Sequence, residues 1–278
     1  MRRSSLSGVI VLVAIVFGCG PGKELPTEVV HPNEQSGPGA DPNGTPPAVS
    51  DPAAKAILDR AIKSITENDP GRLAKGKVAK VTYQGGIKTA PQGSELTKCS
   101  RTIETIWPGF ALVTADFKGD FPNVTFYLRE QQGWMKLGSQ LDTATSPIEV
   151  ARVMRDDLSA WHWLMLGLPF SDPNAVVFEP AKQAGATIVK VALPGRPIYV
   201  VTFDEVTGLP VKTDYRPLEN RVRVRKIFTM SEHKLAAGLL LPTKVELTQN
   251  DVLVERWSEP VWEFPETIDP SRFEQPKQ

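Results

Sequence analysis

The stretch SPIEVARVMRDDLSAWHWLMLGLPF, residues 146–170, decides how the rest of the chain is read. Ser146 and Pro147 mark a helix start, with serine at the cap and proline in the first turn, where its missing N–H costs nothing. Val150, Val153 and Met154 then fall toward one side, and Glu149, Arg152 and Asp156 toward another, so the first half is amphipathic. From Leu158 to Leu168 that contrast disappears. Trp161, Trp163, Leu164, Met165 and Leu166 crowd together, apolar nearly all round. Such a helix must be enclosed on most sides, or must cover something apolar.

Strand patterns flank the segment. Before it, KVAKVTYQG (77–85) alternates Ala79, Val81 and Tyr83 with polar neighbours. ELTKCSRTIETIW (95–107) sets Cys99, Ile103, Thr105 and Trp107 on one face, interrupted by Arg101, and FALVTADF (110–117), NVTFYLRE (123–130) and GWMKLG (133–138) continue the run. A second set extends from AVVFEPA (175–181) to VLVERWSEPVWEF (252–264), punctuated by turn residues such as Gly185, Pro194-Gly195, Thr207-Gly208 and Asn250-Asp251. Short sequential connections make an antiparallel meander. A single sheet of about ten strands curls rather than staying flat, and its concave face then needs helices to fill it. The predicted fold is therefore α+β, mainly antiparallel β: a curved half-open barrel with one long N-terminal helix and the 146–170 segment as a hydrophobic helical insertion against the concave face.

The N-terminal helix is AAKAILDRAIKSIT (53–66), introduced by Asp51-Pro52, with Ala54, Ile57, Leu58, Ala61, Ile62 and Ile65 spaced along its packing side. Upstream, the composition changes. From Gly20 to about Pro52 the chain is rich in Pro, Gly, Asn, Glu and Ser, too poor in apolar surface to offset the entropy of ordering. Further upstream, Arg2 and Arg3 precede an apolar run from Val9 to Phe17 and then Gly18-Cys19. That run is too short for a bilayer, which takes roughly 20 apolar residues, and it has the layout of a secretory signal. Val16-Phe17-Gly18-Cys19 resembles the bacterial lipobox, in which cleavage leaves the cysteine as an acylated N-terminus. The competing reading is an ordinary signal peptide in which Cys19 plays no part.

The chain thus divides into a lipoprotein-type signal over 1–18, a Pro/Gly-rich tether over 19–52 and one domain over 53–278. An exported, lipid-anchored protein follows, in the cell membrane or outer membrane, its domain facing periplasm or exterior. Two or more fatty chains on Cys19, palmitate among them, give stable anchoring. The tether of roughly 30 residues, at about 5–6 Å times the square root of their number, holds the domain roughly 30 Å from the bilayer. Lys plus Arg and Asp plus Glu are each 32, so no overall field draws nucleic acid. Cys99 is the only other cysteine, which leaves no intramolecular disulfide once Cys19 carries lipid.

The layout from about Ala53 to Pro276, with the hairpin FDEVTGLPVKTDYR (203–216) and the closing PVWEFPETIDPSRFEQP (260–276), resembles the outer-membrane lipoprotein-sorting, or LolA-like, family. The residue matches are Thr207-Gly208-Leu209-Pro210 and Ile268-Asp269-Pro270. The resemblance implies a curved antiparallel sheet whose concave side is plugged by helices and can hold acyl chains.

Candidate ligand contacts come from the insertion. Trp161, Trp163, Met165, Leu168 and Phe170 are large, and together they can form the movable wall of an acyl-chain cavity, binding a lipid or the acyl part of a lipoprotein. The alternative is that they complete a filled core, and that the domain is an envelope sensor or protein-interaction module. Arg221, Arg223 and Arg225 alternate with Val222 and Val224, which predicts one basic strand face for headgroups or an acidic partner. Catalytic motifs are missing: no His-Glu-x-x-His, Gly-x-Ser-x-Gly or Cys-x-x-Cys occurs, and no phosphate-cradling glycine loop. No enzyme activity and no cofactor are expected. His31, His162 and His233 are too dispersed to predict a metal site. Adjacent Asp156 and Asp157 read as a solvated helix face, and Cys99 as an inert buried thiol.

Overall fold

A computed structural model of the chain describes residues 45–89, 95–119, 121–219 and 222–276. The signal, Cys19 and most of the tether lie outside the described residues, and so does Arg221. The first helix, α1 (Pro52–Ile65), starts as the sequence dictates. The Asp51 carboxylate accepts hydrogen bonds from the N–H groups of Ala53 (2.7 Å) and Ala54 (3.3 Å), and Pro52 takes the first helical position. The run then breaks into a 3-10 turn (Pro70–Arg72) and a single helical turn, α2 (Leu73–Gly76).

Six strands follow as a meander: β1 (Val78–Ile87), β2 (Thr97–Ile106), β3 (Phe110–Phe117), β4 (Val124–Arg129), β5 (Gln132–Leu137) and the two-residue β6 (Gln140–Leu141). After the helical insertion come β7 (Val176–Gln183), β8 (Ala186–Ala192), β9 (Tyr199–Asp204) and β10 (Pro210–Tyr215). A small separate ladder joins β11 (Leu218–Glu219) to β12 (Val222–Arg223), and the long strands β13 (Lys226–Ala236), β14 (Leu239–Gln249) and β15 (Val252–Glu263) complete the set. The main sheet has 13 strands in the order β6-β5-β4-β3-β2-β1-β15-β14-β13-β10-β9-β8-β7. Against an expectation of about ten strands, the described residues form 15, of which β6, β11 and β12 have two residues each, too few to show alternation.

The sheet is open, with β6 and β7 at its edges. One continuous core contains Val124 and Phe126 from one wing and Val189 and Val201 from the other, so the two wings curl toward each other. Edge strand β7 is broken by a register shift between Phe178 and Ala181, around Pro180 and a left-handed Glu179 (φ 49°), which blunts it as a template for further pairing.

The insertion crosses the concave side from β6 to β7. It comprises α3 (Pro147–Ala160), a break at Trp161, one turn of helix α4 (His162–Met165) and a 3-10 turn (Pro169–Ser171) rather than one continuous helix. Helix α3 packs on β4, β5 and β10, and α1 on β7, β8 and β14. The family-like turn has a structural task there. Arg60 donates to the carbonyls of Glu205 (2.7 Å) and Val206 (2.9 Å), and Ser64 to that of Thr207 (2.6 Å), so the β9–β10 turn clamps α1. Asp269 likewise caps the last 3-10 turn (Pro270–Phe273), whose Phe273 is buried against Phe110.

The basic run did not form one strand face. Only Val222–Arg223 belong to β12, Val222 is exposed while Val224 is buried, and Arg225 is occupied by Asp214 (2.7 Å) and Asp251 (3.3 Å). Buried Lys226 then opens β13, so the alternation ends where the chain re-enters the main sheet.

Close approach of α3 to the sheet depends on Gly133 of β5, where an added Cβ would lie 2.7 Å from the Ala151 nitrogen and 3.0 Å from its Cα. Both neighbours are backbone, which cannot swing aside. Gly133→Ala is expected to destabilise the fold by about 1–3 kcal/mol, read as a lowered urea midpoint. An unchanged midpoint would mean that the insertion is not seated this tightly.

Candidate functional site

The second half of α3 is enclosed, as its sequence requires, yet two of the enclosed side chains are acids. Asp156 and Asp157 are only 2% and 8% exposed. This overturns their reading as a solvated face: α3 packs on β4 and β5 of one wing and on β10 of the other, and both carboxylates lie beneath that cover. Asp157 survives burial through its partners. Lys226 Nζ sits 3.0 Å from both of its oxygens and Tyr215 donates its hydroxyl at 2.5 Å. The same ammonium lies 2.5 Å from Glu219 Oε1 of the small β11–β12 ladder. Burial works against a charged Lys226, but Asp157 and Glu219 more than offset it, and its pKa ends above the usual 10.5. Burial raises the pKa of Glu219, and Lys226 opposes this only in part.

A second buried pair faces the first. Arg101 makes two parallel hydrogen bonds to Glu255, at 2.6 and 2.9 Å, and its guanidinium lies 4.2 Å from the centre of the Trp257 ring. Trp257 Nε1 donates to the same carboxylate at 2.9 Å. Bidentate geometry with a third donor is the arrangement that lets an ion pair tolerate the interior.

Between the two pairs lies a cavity of about 20 Å³. Asp157 borders it on one side, Arg101 and Glu255 on the other, and Met154, Leu158 and Trp161 of the insertion close it over Ile103, Val113 and Phe228 of the sheet. That volume accommodates about one water molecule. The site is therefore mostly apolar, with charge at two poles.

Of the five insertion residues expected as ligand contacts, Trp161 borders this cavity, its ring stacked on Phe228 at 5.6 Å. Trp163 packs edge-on to Trp107 at 4.9 Å and Phe170 meets Phe203 at 5.6 Å; Met165 and Leu168 are buried in the same core. Sequence reasoning missed Arg101, Glu255, Lys226 and Glu219 as site residues. Two of these left a trace, since Arg101 interrupts the apolar register of β2 and Lys226 ends the alternation of the basic run.

His162 is fully buried, stacked on Trp262, with Nε2 3.2 Å from Thr105 Oγ1, and burial lowers its pKa from 6.5 to about 3. Cys99 is a buried free thiol pushed up to about 11 by the same effect. Among the described residues, no group of three or more His, Cys, Asp or Glu side chains can hold a metal ion. Within them, too, no helix is long and apolar enough to cross a membrane.

The arrangement matches solved structures. A LolA superfamily protein from Nitrosomonas europaea superposes with a TM-score of 0.51 at 11% identity, covering 80% of this chain and 97% of the other. A DUF1329 family protein from Desulfovibrio piger gives 0.52 at 13% identity with the same coverage. The chain has the LolA-type fold. No family model and no curated protein sequence matches it. At this level of identity the LolA-type likeness concerns backbone architecture, and the charged poles of the cavity are described from this chain alone.

Asp156 supplies a pH-dependent handle on the insertion. Burial and then Asp157 raise its pKa from 3.8 to about 7, outweighing Arg152 at 3.8 Å. A carboxyl raised on folding favours the folded state most when protonated, so this contribution is lost as pH rises from about 4 to about 7. His162 has the opposite sign, its contribution being lost as pH falls from 6.5 to about 3. Asp156→Asn removes only the Asp156 contribution. Relative to the parent, its stability is expected to improve by about 1.4 kcal/mol per pH unit across that window, measured by urea unfolding at several pH values. Parallel profiles would show that Asp156 is ionised in the folded protein.

Proposed function

We propose that the chain is an exported cell-envelope protein, anchored to a membrane through an acylated Cys19, whose half-barrel takes up the acyl chains of a lipid or of a lipoprotein without reacting with them. The observation that carries this reading is the mostly apolar cavity beneath the insertion, where Met154, Leu158 and Trp161 face Ile103, Val113 and Phe228 of the sheet. The LolA-type fold and the signal with Cys19 support it. Trp161 is the proposed first contact, with Trp163, Met165, Leu168 and Phe170 forming the wall behind it. Arg223 and Arg225, with Arg221, are retained only as a basic stretch that can meet headgroups or an acidic partner.

Energetics set the condition for uptake. A ligand site for an acyl chain needs several hundred cubic ångströms, far more than the cavity as it stands. Each buried methylene contributes about 0.8 kcal/mol, so eight of them supply roughly 6 kcal/mol to offset parting the insertion from the sheet. Because the concave side is filled, the second reading retains support: an envelope sensor or protein-interaction module that uses the same fold with a closed core.

The deciding measurement is binding of a fluorescent fatty-acyl probe to the purified chain, with lipid extraction and mass spectrometry of the same preparation. Saturable binding is expected, and Val113→Phe, which fills the cavity from the sheet side, is expected to weaken it about tenfold. Absence of both copurifying lipid and probe uptake would leave the interaction module as the function. Anchoring is tested separately. Cys19→Ala is expected to move the protein from the membrane fraction to the soluble fraction, and retention in the membrane would remove the lipid anchor from the proposal.

A further inference from the structure

At one end of the half-barrel, α3 meets the β8–β9 connection, and two arginines there lack the carboxylates that neutralise others in this chain. Arg101, Arg152, Arg225 and Arg272 each pair with an acid. Arg155 instead donates Nε to the Ala151 carbonyl (3.3 Å) and Nη1 to Gln131 Oε1 (2.7 Å). Arg196 donates Nη1 to the carbonyl of Arg155 (3.3 Å), and its guanidinium carbon lies 5.8 and 5.6 Å from the ring centres of Trp107 and Trp163. Both arginines are half-buried.

The two positive charges feel each other. Burial and then Arg196 lower the pKa of Arg155, so holding both cations here has a cost. Asp156 acts on both arginines, but its ion pair is with Arg152 at 3.8 Å and its pKa is raised to about 7, so at neutral pH it offsets only part of that charge. Among the described residues, Arg155 Nη2 and Arg196 Nε and Nη2 have no hydrogen-bond partner. Two planar forks beside a half-buried indole, Trp107, suit an anion with several oxygens and more than one charge, attached to an apolar or neutral body.

We propose that Arg155 and Arg196 form a binding site for a phosphate group, carried by a lipid headgroup or by a free phosphate. If the carrier is a lipid, the site deepens the acyl-chain reading and rests on it, since Arg155 lies one helical turn before Leu158 of the cavity. If the carrier is free phosphate, the site stands alone.

The test titrates the purified chain with inorganic phosphate and with a short-chain phosphatidylglycerol at fixed ionic strength, followed by calorimetry. Arg155→Gln and Arg196→Gln are each expected to weaken binding about tenfold, as the loss of a charge-assisted hydrogen bond requires. Arg196→Lys keeps the charge without the fork and should fall between parent and Arg196→Gln; near-UV circular dichroism confirms that each variant is folded. Tighter binding of the phospholipid than of phosphate assigns the site to headgroups, and equal binding assigns it to free phosphate. If neither ligand's affinity depends on the two arginines in folded protein, the proposal is overturned. Loss of acyl-probe uptake with phosphate binding intact would instead remove the acyl-chain reading and leave this site in place.

Discussion

The chain leaves its sheet at one edge, β6, and must re-enter at the opposite edge, β7, and the short route between them runs over the concave face. Everything unusual in the molecule follows from that crossing. A helix laid across a curled sheet has protein on nearly every side, so the residues from Leu158 to Leu168 are apolar all round, and even α3's later charges are enclosed. Once enclosed, Asp157 needs a cation, and Lys226 is brought to it from a strand 69 positions later. The insertion is thereby tied to β13, in the middle of the sheet, by an ion pair in addition to its apolar packing.

Such pairs are poor explanations of stability. Replacing a buried ion pair by well-packed apolar residues is commonly neutral or favourable, whereas removing one partner costs about 3–5 kcal/mol. Their contribution here is better described as registration. Tyr215 and Lys226 come from two separate strands and meet at Asp157 of α3, while Glu219 of the small ladder reaches the same ammonium. Arg101 and Glu255 do the same for β2 and β15, which are separated by β1, with the Trp257 ring completing the contact.

Much of the fold was legible because alternation and turn chemistry are local. The run Ala79, Val81, Tyr83 identifies β1 without any knowledge of its neighbours, and Asp51-Pro52 fixes the start of α1. Missing from the sequence were features that depend on distant partners. The ladders Leu218–Glu219 and Val222–Arg223 are two residues each, so the RVRVR run looked like one strand although only Val222–Arg223 pair, and Val224 and Arg225 lie outside any strand before β13 opens at Lys226. Asp156-Asp157 looked solvated because nothing nearby in sequence announces Lys226 or the covering sheet. The irregularities were the informative positions: Arg101 in an apolar register and Lys226 at the end of an alternating run both mark the charged poles of the cavity.

The insertion is not held evenly along its length. Gly133 admits the α3 backbone to the sheet near Ala151, and Asp157 fixes the same helix through Lys226, so this part is tied by backbone contact and charge. Beyond Ala160 the helix stops. Trp161 leaves helical geometry (φ −139°, ψ −61°), and around it and the next turn, α4, apolar and aromatic contacts dominate, with Trp163 against Trp107, Trp161 against Phe228, and a side-chain polar contact from His162 to Thr105. Apolar contacts are non-directional and can be replaced by equivalent apolar contacts from a ligand, whereas an ion pair cannot be moved without exposing a bare charge. On the proposed acyl-chain reading, the pivot would therefore fall at Trp161, which borders the cavity, with α3 as the fixed side and the segment from His162 to Phe170 as the side that would yield.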